Sequence, residues 1–554
     1  MTKKLKQFTF LFILVAFSNG FLAQEITMKI SSKKEIEKVI LEKLDFKKKH
    51  NDITAVKLET EKISNYLKKI GYFTNTIDSI SISDKLYVAY FSLNKKIDKA
   101  DIKLNANVGL LLKKLNIEGA SIIIPIEEVE PLLNKISKEL ENQGKSFSIA
   151  SLKNIELRNK TLFADLEIYQ SEKRKINEVI IKGYENFPNA FIKYHFKIKK
   201  ETVFNQKKIK EISSASKNLT FTKEIKQPEV LFTKDSTLLF IYLKKYQNNT
   251  FDGMVNFSSK ENGGIKLNGH LDLKLNNILN TGEKFELFWN STNNQSQEFK
   301  IATEIPYLFN TSLTPKVSFA IFRQDSTFIK TKFSTKIFYD ISPKIKIATT
   351  FSSESSENLE KKITNNIASF NNYFFGFQFE YSIPKNDSFF NDKLLLRINP
   401  SVGKRTKEVT SSNQFKIETT ASYIWDFNLR SSLFIRNKTG YLNSDSFIDN
   451  ELYRIGGANS IRGLDDLSII TSSYSFFNIE LRYLTSNKSY LYTITDIGRI
   501  KTSSEDKNLF GIGLGYLFNI KNSQITLSAA STRTSSETFN LKNSKLIISW
   551  KTFF

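Results

Sequence analysis

Gly511-Ile512-Gly513-Leu514-Gly515-Tyr516-Leu517-Phe518 alternates without a break. In an extended chain, successive side chains point to opposite faces, so Ile512, Leu514, Tyr516 and Phe518 share one face and glycines line the other. A soluble sheet does not need this division, but the wall of a membrane barrel does: apolar groups towards lipid, small or polar groups inside. The last residues, Lys545 to Phe554, repeat it. Leu546, Ile548, Trp550 and Phe554 fall on one face, and the chain ends on an aromatic.

From Phe251 onward the whole sequence follows this rule. Alternating runs of about ten residues are separated by Asn, Ser, Gly, Lys and Asp. Eleven such runs centre near Val255, Leu267, Leu287, Ile301, Phe319, Phe333, Ile347, Phe377, Leu395, Thr419 and Leu433. Five more centre near Ile479, Ile494, Leu514, Leu527 and Ile548, making sixteen. An even number lets a single antiparallel sheet close on itself without an exposed edge. The competing reading is a soluble β-rich secreted protein, which would require neither an apolar face on every strand nor the terminal aromatic.

The chain opens with Lys3, Lys4 and Lys6, an apolar run from Phe8 to Phe17 and small or polar residues up to Gln24. This is the layout of a secretory signal peptide, expected over residues 1–24. No later apolar run is long enough for a transmembrane helix. The sequence has no cysteine, which rules out lipid attachment at the cleavage site, disulfides and thiolate metal sites. Its net charge of +24 is spread as scattered lysines in a chain also rich in Asn, Ile and Phe. That fits a compositional bias better than a nucleic-acid surface, and no nucleic-acid motif is present.

Between the leader and the barrel the pattern is mixed α and β, with a period of roughly 75 residues. Helices are expected over Ser31 to Leu44, with Ile36, Val39, Ile40 and Leu44 on one face, and over Leu58 to Lys69. Gly71 ends the second helix, and two strands follow. The order returns with helices near Leu110 and over Ile126 to Asn142, stopped at Gly144. It returns again after the strand Ile176 to Ile181. Three βααββ units are expected, over residues 25–96, 97–171 and 172–247, ahead of a barrel over 248–554. Each unit would keep a free sheet edge able to take an extended peptide as an added strand, or would serve only as a spacer. His50, His195 and His270 lie far apart without ligand spacing and read as ordinary surface residues. No catalytic grouping, phosphate loop or metal cluster is visible, so neither an enzyme nor a cofactor is expected.

The longest connection, Tyr441 to Ser472, follows the eleventh run and carries Gly456-Gly457-Ala458-Asn459-Ser460-Ile461-Arg462-Gly463. An arginine set between glycines can be pushed into a confined space, where it needs a carboxylate. Two candidates follow on nearby strands: Glu480, in inward phase with Asn478 and Arg482, and Asp496. If the repeats sit in the periplasm, strand one runs outward and this connection is the sixth extracellular loop.

Taken together, the repeats, the sixteen strands and the long sixth loop resemble the BamA/TamA superfamily of outer-membrane insertases and polypeptide transporters, and the repeats resemble its POTRA domains. The resemblance covers essentially the whole mature chain. Its most specific part is Gly456, Gly457, Ser460, Ile461, Arg462 and Gly463, similar to the family's sixth-loop motif, in which Val or Ile precedes Arg-Gly and an aromatic follows. Ile494, Asp496 and Gly498 stand where the family has Phe-x-Asp-x-Gly on strand thirteen. Asn280-Thr281-Gly282-Glu283 and Pro306-Tyr307-Leu308-Phe309 are weaker echoes. Leu464 replaces the usual aromatic and Ile494 the usual Phe; both departures are expected to weaken packing of the loop.

The resemblance implies an outer-membrane protein of a Gram-negative bacterium that handles unfolded outer-membrane or secreted clients at the lipid bilayer, without nucleotide and with periplasmic chaperones or accessory assembly proteins as further partners. A two-partner-secretion transporter, which usually has two POTRA domains and a plug helix, is the alternative. A passive porin would need neither the repeats nor the Arg-Gly loop.

Overall fold

The computed structural model describes residues 26–83, 85–104, 109–246, 248–259, 265–291, 296–360, 366–385, 387, 389–502, 505–535 and 544–554, with backbone only for 254–259 and 265–268. The expected leader (1–24) lies outside the described residues. Two compact bodies divide the chain. One runs up to Arg174 and includes Val203–Gln206; the other holds Lys175–Thr202 and Lys207–Phe554.

The first body contains two small α/β units. In the first, strands Ile26–Ser31 and Leu86–Ser92 pair in parallel at the centre of a four-stranded sheet, flanked by Lys49–His50 and Thr76–Ser83. Helix Ile53–Lys69 starts where Asp52 accepts a hydrogen bond from the Ala55 amide at 2.7 Å. It buries Val56, Thr60, Ile63 and Leu67, one helical face. Gly71 ends it in the left-handed region (φ 100°), and the Gly71 carbonyl accepts from Ile97 N at 3.0 Å. A β-carbon on Gly71 would overlap the Ile97 carbonyl. The second unit repeats the joint: Gly144 (φ 87°) ends helix Val129–Asn142 and accepts from Arg174 N at 2.9 Å. Its sheet places Lys99–Lys103 parallel to Thr161–Tyr169 between Ser121–Pro125 and Ile149–Arg158.

The first helix departs from expectation. Residues Ile26–Ser31 are a strand, and the helix covers only Glu35–Glu42. Ile36 (82% exposed) and Val39 (52%) face outward. Glu37 turns inward instead, accepting from Ser32 Oγ at 2.8 Å and Leu93 N at 3.0 Å. The end of the neighbouring strand needs an acceptor, and so short a helix can satisfy it while seating only Leu41 in the core. His50 and His195 also differ from the surface positions expected. His50 is buried against the Lys47 carbonyl, 2.6 Å away. His195 packs among Phe191 and Phe196, with Nε2 2.9 Å from the Ala215 carbonyl. His270 lies 2.9 Å from Asp252.

In the second body a third unit, of three strands (Glu178–Lys182, Thr222–Phe232, Thr237–Lys245) and helices Asn189–Tyr194 and Gln206–Lys217, precedes the barrel. The barrel closes through sixteen antiparallel strands. These are β1 (Thr250–Ser259), β2 (Ile265–Asn276), β3 (Lys284–Ser291), β4 (Ser296–Glu304), β5 (Leu313–Gln324), β6 (Phe328–Ser342), β7 (Ile345–Asn358), β8 (Phe370–Pro384), β9 (Asp392–Lys407), β10 (Thr410–Asp426), β11 (Ser431–Ser444), β12 (Ser473–Ser486), β13 (Ser489–Lys501), β14 (Asp506–Ile520), β15 (Ser523–Thr534) and β16 (Lys545–Phe553). Large apolar side chains such as Phe333, Phe377, Trp425, Leu514 and Trp550 stand exposed on the outer face, as lipid contact requires. Among the described residues no helix is long and apolar enough to cross a membrane.

Closure is uneven. β1 and β2 are in register over ten pairs, and β15 and β16 over eight. Among the described residues, β1 and β16 are in register over only three: Thr250–Phe553, Phe251–Thr552 and Asp252–Lys551.

Candidate functional site

The connection between β11 and β12 folds back into the lumen. Tyr453–Ile455 and Ile469–Thr471 pair as a small hairpin, and the Arg-Gly segment sits between them. Gly457 (φ 90°) and Gly463 (φ 95°) both lie in the left-handed region. A β-carbon at Gly457 would overlap the Asp466 carboxylate, and one at Gly463 would come within 2.9 Å of the backbone at Ser531 and Thr532. Ser460 closes the turn, its Oγ accepting from Gly456 N at 3.2 Å. Ile461 is fully buried with Ile455, Phe476, Ile500 and Leu509, and Leu464 packs against the same cluster. Gly498 makes room: a β-carbon there would stand 2.8 Å from Ile461 Cδ1. The loop is therefore seated despite the two departures, since Ile494 is buried with Tyr490, Tyr492, Leu517 and Ala530.

Arg462 is held from three sides. Its amide and Nε donate to Asp496 Oδ2 at 2.8 and 3.0 Å, and Nη2 donates to Asp496 Oδ1 at 2.6 Å. Nη1 donates to Glu480, and the Arg462 carbonyl accepts from Thr532 Oγ1. Burial opposes the charge on Arg462, but the hydrogen bonds to Asp496 and the charge of Glu480 win, so the guanidinium is held protonated above its ordinary range. Asn478 ties the cluster together, donating to Asp496 Oδ1 and to the Ser460 carbonyl, both at 2.8 Å. Glu480 also accepts from Arg482, whose guanidinium lies between the rings of Phe390 and Phe434 at 4.2 and 4.0 Å. The sequence-derived residues Arg462, Asp496 and Glu480 are thus one buried cluster. Leu546, Ile548, Trp550 and Phe554 lie apart from it, on the outer face of β16 and at the chain end beside the three-pair seam.

One feature carried no signal in the sequence, and another carried only a weak one. Arg405 on β9 donates to Glu451 in the loop, a second buried ion pair. The weak echoes turn out to be where the third unit docks. Tyr184 Oη lies 2.7 Å from Asn280 Oδ1 and accepts from Asn277 Nδ2 at 2.8 Å. Phe191 meets Tyr307 edge-on at 4.9 Å, and Tyr307 donates to Asp340 at 2.7 Å. Burial opposes the charge of Glu283, but donors from Thr281 and the Leu279 amide hold its carboxyl below the usual range, which keeps this turn shaped.

Serial POTRA-like units followed by a closed sixteen-stranded barrel with a loop clamped in its lumen is the fold expected from the BamA/TamA resemblance. Solved structures share it. CdiB from Acinetobacter baumannii is similar over 83% of this chain and 90% of its own, at 13% identity and TM-score 0.53. CdiB from Escherichia coli is similar over 90% and 98%, at 11% identity and TM-score 0.53. BamA from Haemophilus ducreyi lacking POTRA domains 1–3 aligns over 82% and 99%, at 11% identity and TM-score 0.44, too low to carry an argument. At such identities the likeness is one of fold. No protein-family model and no curated protein sequence matches the chain.

Proposed function

We propose that this chain is an outer-membrane protein assembly and insertion factor of a Gram-negative bacterium. Its POTRA-like units stand in the periplasm, capture unfolded clients with the help of chaperones or accessory proteins, and pass them to the barrel seam. No nucleotide or catalytic chemistry is involved. The observation that carries the reading is the three-pair register between β1 and β16. Among the described residues, no register pair beyond these three joins β1 to β16. In hydrocarbon each unsatisfied group costs several kcal/mol, so an incoming strand that pairs with them lowers the free energy. The clamp at Arg462 would hold the loop while the seam moves.

The test is a reversible lock. Phe251→Cys with Thr552→Cys places thiols on directly opposed residues of a chain that otherwise has no cysteine. The full-length protein in liposomes should insert an unfolded barrel client when reduced and fail to do so when oxidised, with its own fold intact. Equal insertion in both states would sink the reading.

A second reading is two-partner secretion, which the fold shared with CdiB accommodates equally. Under it a dedicated exoprotein passes through the lumen, and the seam lock leaves export untouched.

A further inference from the structure

The loop between β11 and β12 is tied to the barrel wall at Ser446 and Glu451 before it reaches Arg462. Arg405 and Glu451 are 4% and 1% exposed, as buried as the Arg462 cluster. Arg405 donates to Glu451 Oε1, to the Ser446 carbonyl at 3.0 Å and to Ser446 Oγ at 2.7 Å. Gln414 donates to the other Glu451 oxygen at 2.9 Å, and the Ile448 amide reaches Oε1 at 3.1 Å. Asn450 extends the grip to the next part of the wall, donating to Ser356 Oγ and the Ala368 carbonyl, both at 2.8 Å. The first half of the loop is thus held on β7, β9 and β10 and the Arg-Gly segment on β12, β13 and β15, with the hairpin strand Tyr453–Ile455 between them.

We infer that Glu451, through Arg405, is a second positioning residue of the loop, and that the lumen opens only when this pair and the Arg462–Asp496 pair are both released. Each pair is buried and hydrogen-bonded on its own wall, so each persists when the other is broken. A segment tied at both ends stays across the lumen when one tie is cut. The inference goes beyond the insertase reading, because it concerns passage through the lumen whatever the client and whether or not the seam opens.

The experiment is ion conductance of the full-length protein in planar bilayers, with Glu451→Gln, Arg462→Lys and the two combined. Lysine keeps the charge but cannot make the forked contact with Asp496. The double variant should conduct at least about tenfold more than the product of the two single-variant increases predicts, the signature of coupled sites. In the Arg462→Lys background, the charge swap Arg405→Glu with Glu451→Arg should bring conductance back down, whereas Arg405→Glu alone should not. Increases that merely multiply, or a Glu451→Gln change without effect in either background, would overturn the inference. If Glu451→Gln fails to fold, a crosslink decides it. Asp449 N donates to the Asn366 carbonyl at 2.8 Å, so cysteines at these positions can be bridged. With the bridge formed, Arg462→Ala should stay closed, and cutting the bridge in an Arg405→Gln, Arg462→Lys protein should open it. An Arg405→Gln, Arg462→Lys protein that conducts as freely with the bridge formed as with it cut would count against two ties.

Discussion

β12 and β13, beside the clamp, are in register over eleven pairs, whereas β1 and β16 share three. Strand length follows the same division. Among the described residues, β6 to β11 have 14–17 residues each, but β1, β3, β4 and β16 have 8–10, at the lower end of what a tilted strand needs to cross a bilayer. The inner faces differ too. At β12–β13, Asn478, Glu480 and Asp496 are buried, and Arg462 is paired with both carboxylates. At the seam the side-chain link described is a single hydrogen bond of 3.0 Å from Ser549 to Asp252. Rigidity in this barrel comes from buried charge that only one arrangement satisfies. Where backbone pairing is short, no buried arginine–carboxylate cluster of this kind is found among the described residues.

The largest expected effect lies on the rigid side. Arg462→Ala leaves Asp496, fully buried, and Glu480 without their shared cation. Breaking a buried pair in this way costs about 3–5 kcal/mol, read as a lower midpoint in urea or heat unfolding of the purified barrel. The loss should be accompanied by reduced client insertion. Wild-type stability and wild-type insertion together would remove the role given to the clamp and erase the contrast with the seam.

A smaller effect is expected at Gly515 on β14. A β-carbon there would overlap the ring of Tyr492, which is buried on β13 next to the clamp. Gly515→Ala must displace that ring, at a cost of about 1–3 kcal/mol, the range for overpacking. Replacing Tyr492 with Leu in the same chain should recover part of the loss, and no recovery would place the strain elsewhere.

How much of this was readable in the sequence follows the range of each interaction. The lipid-facing alternation in Ile512, Leu514, Tyr516 and Phe518 is local, so the barrel and its strand count could be read directly, and so could the inward phase of Glu480. Arg462 stood out because glycines surround it. Arg405 and Glu451 gave no such sign, since their meeting depends on how a long loop crosses the lumen. The docking of Tyr184 and Phe191 on the turns at Asn280 and Tyr307 depends in the same way on two domains meeting. The expected face of the first helix, where Glu37 turns inward in place of Ile36 and Val39, and the expected surface position of His195 failed for another reason. Residue type predicts exposure on average, and a single backbone partner, Leu93 N or the Ala215 carbonyl, is enough to reverse it.

The smallest effect is expected at the seam and gives the finest test of the contrast. Ser549→Ala removes the hydrogen bond to Asp252, a loss of about 0.5–1.5 kcal/mol or less. Global unfolding should barely register it, because the rest of the wall sets that transition. If opening of the seam limits insertion, though, the same loss lowers that barrier and speeds insertion about two- to tenfold. Ser475→Ala on β12 is the matched control. Its hydroxyl bonds to Asn437 at 3.2 Å and Thr439 at 2.8 Å across the β11–β12 pairing, which is in register over eleven pairs, so it loses comparable contacts without touching the seam. Faster insertion with Ser549→Ala and an unchanged rate with Ser475→Ala would tie the rate to the seam. Equal rates in both would mean that the short register is not where clients enter.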